Sequence, residues 1–424
     1  MRFLRFRVLF GWILSLTLAS SLTARALPKA RPEEVGFSAE RLARLTSTFE
    51  SYVSEGKLPG SVVLVARRGK IAYLQAFGRR DREANAPMPD NAIFRIASQT
   101  KALASVGVMM LQEQGKLLIA DPVGKYLPEF EKTTVAVAQP GGGYDVVEAK
   151  RPITIRDLLT HTAGIGYGEG VARDRWQAAK IQGWYFADRD EPVGATVSRM
   201  AALPFDAQPG ERFVYGYATD ILGALVEKVS GQSLADFLDQ SFFHPLAMED
   251  TCFYLPPSKA DRLAVVYSAT KSGKLERAVD PGLGVGQGAY LKGPRKSFSA
   301  GAGILSTAMD YARFLQMMLN GGELEGKRLL SRKTVELMTV DHLVDKKISD
   351  GVGFGLGFSV VKDLGARGVP GSLGEFGWGG AYHSSYWVDP QKQLVVVYFT
   401  QLIPAGNVDD HGKLRALIYQ ALED

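Results

Sequence analysis

The stretch Ser98-Gln99-Thr100-Lys101 opens a long apolar helix that the sequence predicts over Lys101 to Gln114. Apolar residues face several directions around this helix, which is typical of a buried helix. Residues three positions apart share a helix face, so the Lys101 amine can take the proton of the Ser98 hydroxyl and make it a nucleophile. The first turn of a helix also favours developing negative charge. The stretch therefore predicts a covalent catalytic centre on Ser98.

The Ser-x-x-Lys spacing itself is not specific, because it occurs at Ser54/Lys57, Ser98/Lys101 and Ser268/Lys271. Ser54 stands at the end of a predicted helix and Ser268 lies in a polar stretch, so both are expected to be exposed. Desolvation inside the apolar helix is expected to lower the pKa of Lys101 and let the amine act as a base. The alternative interpretation of this pair is a helix N-cap serine with a surface lysine.

A second candidate element is Phe213-Val214-Tyr215-Gly216-Tyr217, which precedes a helix predicted over Asp220 to Val229. A tyrosine held on a loop before a buried helix can relay protons between a lysine and the leaving group of a substrate. The alternative interpretation of Tyr215 is an aromatic residue of the core.

A third candidate element is Gly377-Trp378-Gly379-Gly380-Ala381, which precedes a predicted hairpin near the C-terminus. Glycines let a ligand approach the backbone of a strand closely. A free N–H of this segment and the N–H of Ser98 could together form an oxyanion hole. The alternative interpretation is a tight turn with a packed tryptophan.

Strands are predicted at both ends of the chain and helices in the middle, where the links are rich in proline and glycine. This pattern predicts an α/β (α+β) fold with one sheet built from both termini and a helical lobe inserted into it. The expected domains are a discontinuous α/β domain, residues 27–96 and 301–424, and a mainly helical domain, residues 97–300. The other predicted elements are strands 61–66, 71–77, 385–388 and 394–400 and helices 38–55, 155–159, 233–240, 305–319 and 413–422.

The N-terminus has the layout of a secretory signal peptide over residues 1–26: a basic start, an apolar run from Val8 to Leu22, and small residues at Ala24 and Ala26. The apolar run is shorter than the ~20 residues of a bilayer span, which disfavours the alternative of a stable membrane anchor. The sequence therefore predicts an exported protein, periplasmic or secreted.

The amino-acid composition and the net charge exclude some classes of protein. With 46% hydrophobic and 22% charged residues, the chain is typical of a soluble globular protein, and disorder is excluded. The net charge of +5 falls to +1 without the four arginines of residues 1–26, and no dense basic cluster remains, so nucleic acid is not an expected partner. The single cysteine, Cys252, is expected to be a buried structural thiol.

Metal and cofactor sites are not expected. The five histidines stand at no metal-ligand spacing, and neither a phosphate loop nor a dinucleotide fingerprint is present. His383 follows the third element closely and could line a pocket, although a surface position is the favoured interpretation. The absence of a Gly-x-Ser-x-Gly elbow disfavours an α/β-hydrolase with a Ser-His-Asp triad. The five histidines are His161, His244, His342, His383 and His411.

In combination and in this order, the three elements resemble the motifs of the serine β-lactamase and penicillin-binding protein superfamily, which includes D-alanyl-D-alanine peptidases and family VIII carboxylesterases. The resemblance covers nearly all of the chain after residue 26 and includes residues 153–164 and 301–306. It implies a β-lactamase/DD-peptidase-like fold with an antiparallel sheet flanked by helices. It also implies that Ser98 is the nucleophile, Lys101 its base and Tyr215 the proton partner, with the N–H groups of Ser98 and Ala381 as the oxyanion hole.

Two departures from the penicillin-recognising pattern bear on the substrate. The second motif ends in Tyr217 rather than asparagine, and the third begins with Trp378 where those relatives carry a lysine that binds a substrate carboxylate. A tryptophan offers a large apolar face and no fixed charge, so a neutral small-molecule ester fits better than an anionic lactam or peptide. The resemblance therefore points to a family VIII type of carboxylesterase, with weak β-lactam hydrolysis as a plausible side activity.

Two alternatives stay open at this point. One is a β-lactamase or D-alanyl-D-alanine peptidase that uses the same site. The other is a non-catalytic binding protein that keeps the fold, since a fold does not fix a function.

Overall fold

The computed structural model describes residues 26–423, within which the strands are distributed from Gly60 to Thr400. The strands are β1 (Gly60–Arg67), β2 (Lys70–Asp81), β3 (Ala86–Pro87), β4 (Phe94–Arg95), β5 (Thr134–Ala138), β6 (Tyr144–Glu148), β7 (Tyr267–Ala269), β8 (Leu275–Arg277), β9 (Leu305–Ser306), β10 (Glu323–Leu324), β11 (Lys327–Arg328), β12 (Val352–Phe354), β13 (Ser359–Val361), β14 (Phe376–Gly380), β15 (Ser384–Asp389) and β16 (Leu394–Thr400).

The main sheet has eight strands in the order β12-β13-β14-β15-β16-β1-β2-β3, and every neighbouring pair is antiparallel. The N-terminal strand β1 lies between β2 and the C-terminal strand β16, where Leu64 stands opposite both Leu74 and Val397. The prediction of one sheet built from both ends of the chain is confirmed.

Both faces of the sheet are covered, because the two central strands are buried along their whole length. Along β1, Val62, Leu64 and Ala66 join the core that also contains the middle of the chain. Val63 and Val65, which point the opposite way, join a second core on the other face. This alternation is the period of two that a strand imposes. A continuous apolar run in the sequence is therefore the expected pattern for β1.

The helices pack on these two faces. The first helix begins after Ser38, whose hydroxyl caps it by accepting from the Arg41 N–H. The helices are α1 (Ala39–Ser54), α2 (Thr100–Glu113), α3 (Ile155–Leu159), α4 (Arg173–Ala178), α5 (Val193–Met200), α6 (Ala218–Ser230), α7 (Leu234–Leu238), α8 (Ala308–Leu319), α9 (Arg332–Met338), α10 (Leu364–Arg367) and α11 (Asp410–Tyr419).

Two predicted helices have other bounds in the structure, and one linking segment forms a hairpin that the sequence pattern does not predict. The helix expected from Leu305 begins at Ala308, because Thr307 is extended and caps α8, while Leu305 and Ser306 form β9. The proline- and glycine-rich segment 140–143 is the turn of the β5–β6 hairpin, since glycine supplies the positive φ angles of a tight turn. The C-terminal helix begins at Asp410 and ends at Tyr419, earlier than expected.

The predicted domain boundaries stay a prediction. One continuous apolar core includes side chains of β1 and β16 together with those of the middle helices, so the two predicted units share a core. The predicted signal peptide lies outside the described residues except for Ala26. Within residues 26–423, no helix has the length and hydropathy needed to cross a bilayer.

Phe399 on β16 offers a test of this shared core. Its fully buried ring packs 5.6 Å from the ring of Phe94 and 5.7 Å from that of Tyr311 on α8. We expect Phe399→Ala to lower the free energy of unfolding by about 3–5 kcal/mol, because the cavity left behind adds to the lost transfer free energy. Urea denaturation measures the change. Leu118→Ala, at a side chain that is 59% exposed, is the control and should change stability by less than about 1 kcal/mol. Equal effects of the two substitutions would contradict the packing described.

Candidate active site

Ser98 lies in a single 3-10 turn, Ala97–Gln99, that leads directly into α2. Ala97 adopts a positive φ of 43° although it carries a side chain, which marks a tight change of chain direction before the helix. Ser98 is half-buried and lines a cavity of about 590 Å³. The predicted serine is therefore placed where a small molecule can reach its hydroxyl.

Lys101 lies one turn further along, where its side chain is almost fully buried. Its ammonium group donates to the Gly301 carbonyl at 2.8 Å, to the Tyr167 hydroxyl at 3.1 Å and to the Ser98 hydroxyl at 3.4 Å. The Nζ atom also lies 4.6 Å from the centroid of the Tyr215 ring, a cation–π distance. The predicted contact between lysine and serine is thus present, and two further oxygens share the ammonium group.

The expected depression of the Lys101 pKa was wrong. Burial alone does lower the pKa of Lys101, but the electrostatic influence of Tyr167, Tyr215 and the buried Asp220 outweighs it and raises the pKa above its ordinary value. The prediction considered desolvation and not the groups that stabilise the ammonium ion. Lys101 is therefore an ammonium ion at neutral pH when no substrate is bound.

The buried carboxylate of Asp220 holds the loop that contacts the Lys101 ammonium group. Asp220, in the first turn of α6, accepts hydrogen bonds from the Ser299 hydroxyl at 2.7 Å and from the Gly301 N–H at 3.1 Å. These bonds hold the loop whose Gly301 carbonyl receives the Lys101 ammonium. A Cβ atom on Gly301 would lie 2.4 Å from an Asp220 oxygen, so only glycine fits there. The sequence pattern places Asp220 at the start of a predicted helix and does not indicate its role in the site.

Tyr215 and Trp378 contact each other across the cavity. The Trp378 indole N–H donates to the Tyr215 hydroxyl at 3.0 Å. The tryptophan therefore presents a polar edge to the predicted proton partner, in addition to the apolar face expected from its residue type. The Tyr215 ring also packs 4.8 Å from the ring of the fully buried His161, whose pKa is lowered by burial and by Lys101.

Tyr217, the last residue of the second motif, serves packing. Its ring stacks between those of Trp176 and Phe186, and its hydroxyl donates to the Gly183 carbonyl at 2.7 Å. Tyr217 is not among the described residues that line the cavity, and it touches the cavity wall through its ring, which packs 5.1 Å from the ring of Tyr167.

Strand β14 brings the third motif to the turn that carries Ser98. A Cβ atom on Gly380 would lie 2.5 Å from the Ile96 carbonyl oxygen, so glycine is required for this close approach. The geometry explains why a glycine stands near the end of β14. The predicted site residues meet at one cavity, lined by Ser98, Tyr215, Trp378, Gly379, Gly380 and Ala381, with Lys101 directly behind Ser98.

Several lining residues were not assigned from the sequence. Tyr167 is the most important, because its hydroxyl binds the Lys101 ammonium group, yet it lies in an irregular segment without a local pattern. Burial raises the Tyr167 pKa above its ordinary value, so its hydroxyl is neutral at neutral pH. The remaining lining residues are Trp184, His383, Ser384, Leu402, Ala405 and His411.

The positions of Cys252 and His383 refine two expectations. Cys252 is half-buried, its backbone pairs with Leu305, and burial raises the thiol pKa to about 12, as suits an unreactive structural thiol.

His383 is half-buried in the cavity wall, with its Nε2 atom 2.8 Å from an Asp410 oxygen. The favoured surface position for His383 was wrong, because the fold brings helix α11 against the turn after β14.

Comparisons with known proteins agree with this geometry. The sequence model of the Beta-lactamase family matches residues 45–420. Esterase EstB of Burkholderia gladioli is 32% identical over 385 residues, which cover 87% of this chain and 92% of EstB. An uncharacterized protein of Mycobacterium tuberculosis is 35% identical over 366 residues, covering 84% of this chain and 88% of that protein. The solved structure of EstCE1, described as a hydrolase with promiscuous acyltransferase activity, superposes with a TM-score of 0.77 at 29% identity and covers 90% of this chain and 99% of its own.

One assignment follows from the Ser98–Lys101 contact, the cavity that joins the three motifs and the length of these matches. The chain belongs to the Beta-lactamase family, within the superfamily of serine β-lactamases and penicillin-binding proteins, and is a serine hydrolase of that fold.

Proposed function

We propose that this protein is a carboxylesterase that cleaves small neutral esters through an acyl-enzyme on Ser98. The observation that carries this proposal is the character of the cavity around Ser98. Among the described residues that line the cavity, none is lysine, arginine, aspartate or glutamate. Four of the lining residues are tyrosine or tryptophan: Tyr167, Trp184, Tyr215 and Trp378. Because no lysine or arginine lines the cavity where Trp378 stands, a substrate carboxylate would lose water there without gaining a cation, which favours a neutral substrate.

The positions of these groups support the following reaction. The Ser98 hydroxyl oxygen attacks the ester carbonyl while its proton passes to the Lys101/Tyr215 pair. The N–H groups of Ser98 and Ala381 are proposed to stabilise the oxyanion. The alcohol then leaves with a proton returned through Tyr215, and a water molecule hydrolyses the acyl-enzyme along the same path.

The names of two relatives support the ester as the substrate class. EstB is named an esterase and EstCE1 a hydrolase with promiscuous acyltransferase activity, and both match this chain over most of its length. The β-lactamase or D-alanyl-D-alanine peptidase alternative would require a cation for the substrate carboxylate, where Trp378 stands instead. We therefore propose β-lactam hydrolysis only as a weak side activity. The contact between Ser98 and Lys101 argues against the non-catalytic alternative.

Labelling with a fluorophosphonate probe tests the nucleophile. We expect Ser98→Ala to abolish covalent labelling and to lower turnover of a short nitrophenyl ester on the order of 10³-fold or more. Ser54→Ala and Ser268→Ala are matched controls, because the Ser54 hydroxyl bonds the Ser51 carbonyl and the Ser268 hydroxyl bonds the Ile403 carbonyl. Both controls should label and turn over normally. Intact mass and peptide mapping report the labelled serine, and undiminished labelling of the Ser98 variant would place the nucleophile elsewhere.

The raised pKa of Lys101 gives a pH dependence with a definite sign. The ammonium form dominates at neutral pH, so the neutral amine that must accept the Ser98 proton becomes more abundant as pH rises. We expect kcat/KM for a neutral ester to rise by up to about tenfold per pH unit between about pH 7 and pH 10, without a plateau. Lys101→Arg should be inactive throughout, since arginine stays protonated. A plateau beginning near pH 7 would show that a group other than Lys101 accepts the proton.

Trp378 allows the substrate charge to be tested. We expect Trp378→Lys to raise the ratio of kcat/KM for a cephalosporin to that for a short nitrophenyl ester by about fivefold, because a cation would then face the substrate carboxylate. The gain should shrink at high salt, because salt screens the attraction between the introduced ammonium group and the substrate carboxylate. Trp378→Phe is the matched control: it removes the N–H that reaches Tyr215 without adding charge, so turnover should fall while the ratio stays unchanged. An unchanged ratio in Trp378→Lys would mean that the third motif does not set the charge preference.

A further inference from the structure

Two histidines and an aspartate from distant parts of the sequence meet beside the cavity of Ser98. His383 stands in the turn after β14, and Asp410 and His411 open helix α11. One imidazole nitrogen from each histidine and one Asp410 oxygen all lie within 4.8 Å of one another. The two imidazole centroids are 4.3 Å apart, and both histidines line the cavity. The motif spacing in the sequence could not reveal this group.

The carboxylate of this group is fixed on both sides. The Asp410 side chain has no exposed surface. One oxygen lies 2.8 Å from His383 Nε2, and the other accepts the Tyr398 hydroxyl at 2.5 Å. A buried carboxylate held in one orientation costs little further ordering when it binds a cation.

The imidazole of His411 is held in one tautomer. Its Nε2 atom lies 3.1 Å from the His383 carbonyl oxygen, and a carbonyl can only accept, so Nε2 carries the proton. In this tautomer the Nδ1 atom of a neutral ring carries the lone pair that can bind a metal ion. Metal-binding histidines commonly donate the second ring N–H to a backbone carbonyl in this way, which fixes the ring and its basicity.

We propose that His383, Asp410 and His411 form a binding site for a zinc ion at the edge of the active-site cavity. The ion would take the place of the proton on His383 Nε2: that proton leaves to solvent, and the neutral His383 ring that binds the ion carries its remaining proton on Nδ1. Two imidazole nitrogens and one carboxylate oxygen suit zinc and other borderline transition metals, whereas magnesium and calcium prefer oxygen ligands. Three protein ligands leave a fourth tetrahedral position for water.

Isothermal titration calorimetry of the intact protein with zinc chloride tests this site. The experiment does not measure turnover, so a failure to bind zinc is distinguishable from a failure of the proposed esterase activity. We expect one zinc ion to bind with a Kd in the micromolar range and magnesium chloride to give no saturable signal. His411→Ala should weaken zinc binding at least tenfold. His244→Ala, at an exposed histidine far from the group in sequence, is the matched control and should bind zinc as the unchanged protein does.

Folding of the variants is controlled by circular dichroism and by a second substitution. His411→Gln keeps an amide that can donate to the His383 carbonyl but removes the imidazole ligand, so it should fold normally and still lose zinc binding. Absence of saturable zinc binding, or equal affinity in the unchanged protein and in folded His411→Gln, would overturn the proposal.

Discussion

The burial of the Lys101 ammonium group is the constraint on which the site depends. A charge inside an apolar core is tolerated only when hydrogen-bond acceptors replace the lost water. Gly301 supplies a carbonyl, Tyr167 a hydroxyl, and Asp220 orders the loop behind them. These three residues come from separate parts of the chain, so the middle helices and the loop before β9 must pack together before Lys101 can be buried. The contact that orients Lys101 toward Ser98 is thus a product of the whole fold.

The sheet contributes through close backbone approach. Strand β14 reaches the turn that carries Ser98 because Gly380 has no Cβ atom to meet the Ile96 carbonyl. The same strand pairs with β15, which continues the sheet through β16 to β1 at the N-terminal end. The position of the third motif relative to the nucleophile is therefore tied to a rigid eight-stranded sheet, while the second motif is held by the packing of α6 against α2. A strand of the sheet and the segment that leads into α6 thus meet at one cavity.

Local patterns were enough to predict the parts of the fold that depend on periodicity. The buried strands β1 and β16, the capped helix α1 and the apolar helix α2 were predicted because their patterns are strong and local. The start of α8 was missed because strand β9 leads almost directly into the helix, and Thr307, which caps α8, marks the boundary. Tyr167 could not be found, since its contact with Lys101 joins residues 66 positions apart. The Lys101 pKa was misjudged for the same reason: desolvation can be predicted from a pattern, whereas compensating acceptors are known only once the chain is folded.

The contact between Trp378 and Tyr215 shows how the charge in this site can differ from that in a site that binds a carboxylate. A lysine at position 378 would add a second cation near Lys101, and like charges in a low-dielectric cavity repel each other. An indole N–H can donate to the Tyr215 hydroxyl without adding charge, and it leaves the ammonium group of Lys101 as the cation behind Ser98. In the proposed reaction, the field of that ion acts on the negative charge that develops during attack on the ester. In the proposed mechanism, substrate charge and proton transfer are linked through one residue, because Trp378 stands where a carboxylate-binding lysine would stand and also donates to the Tyr215 hydroxyl.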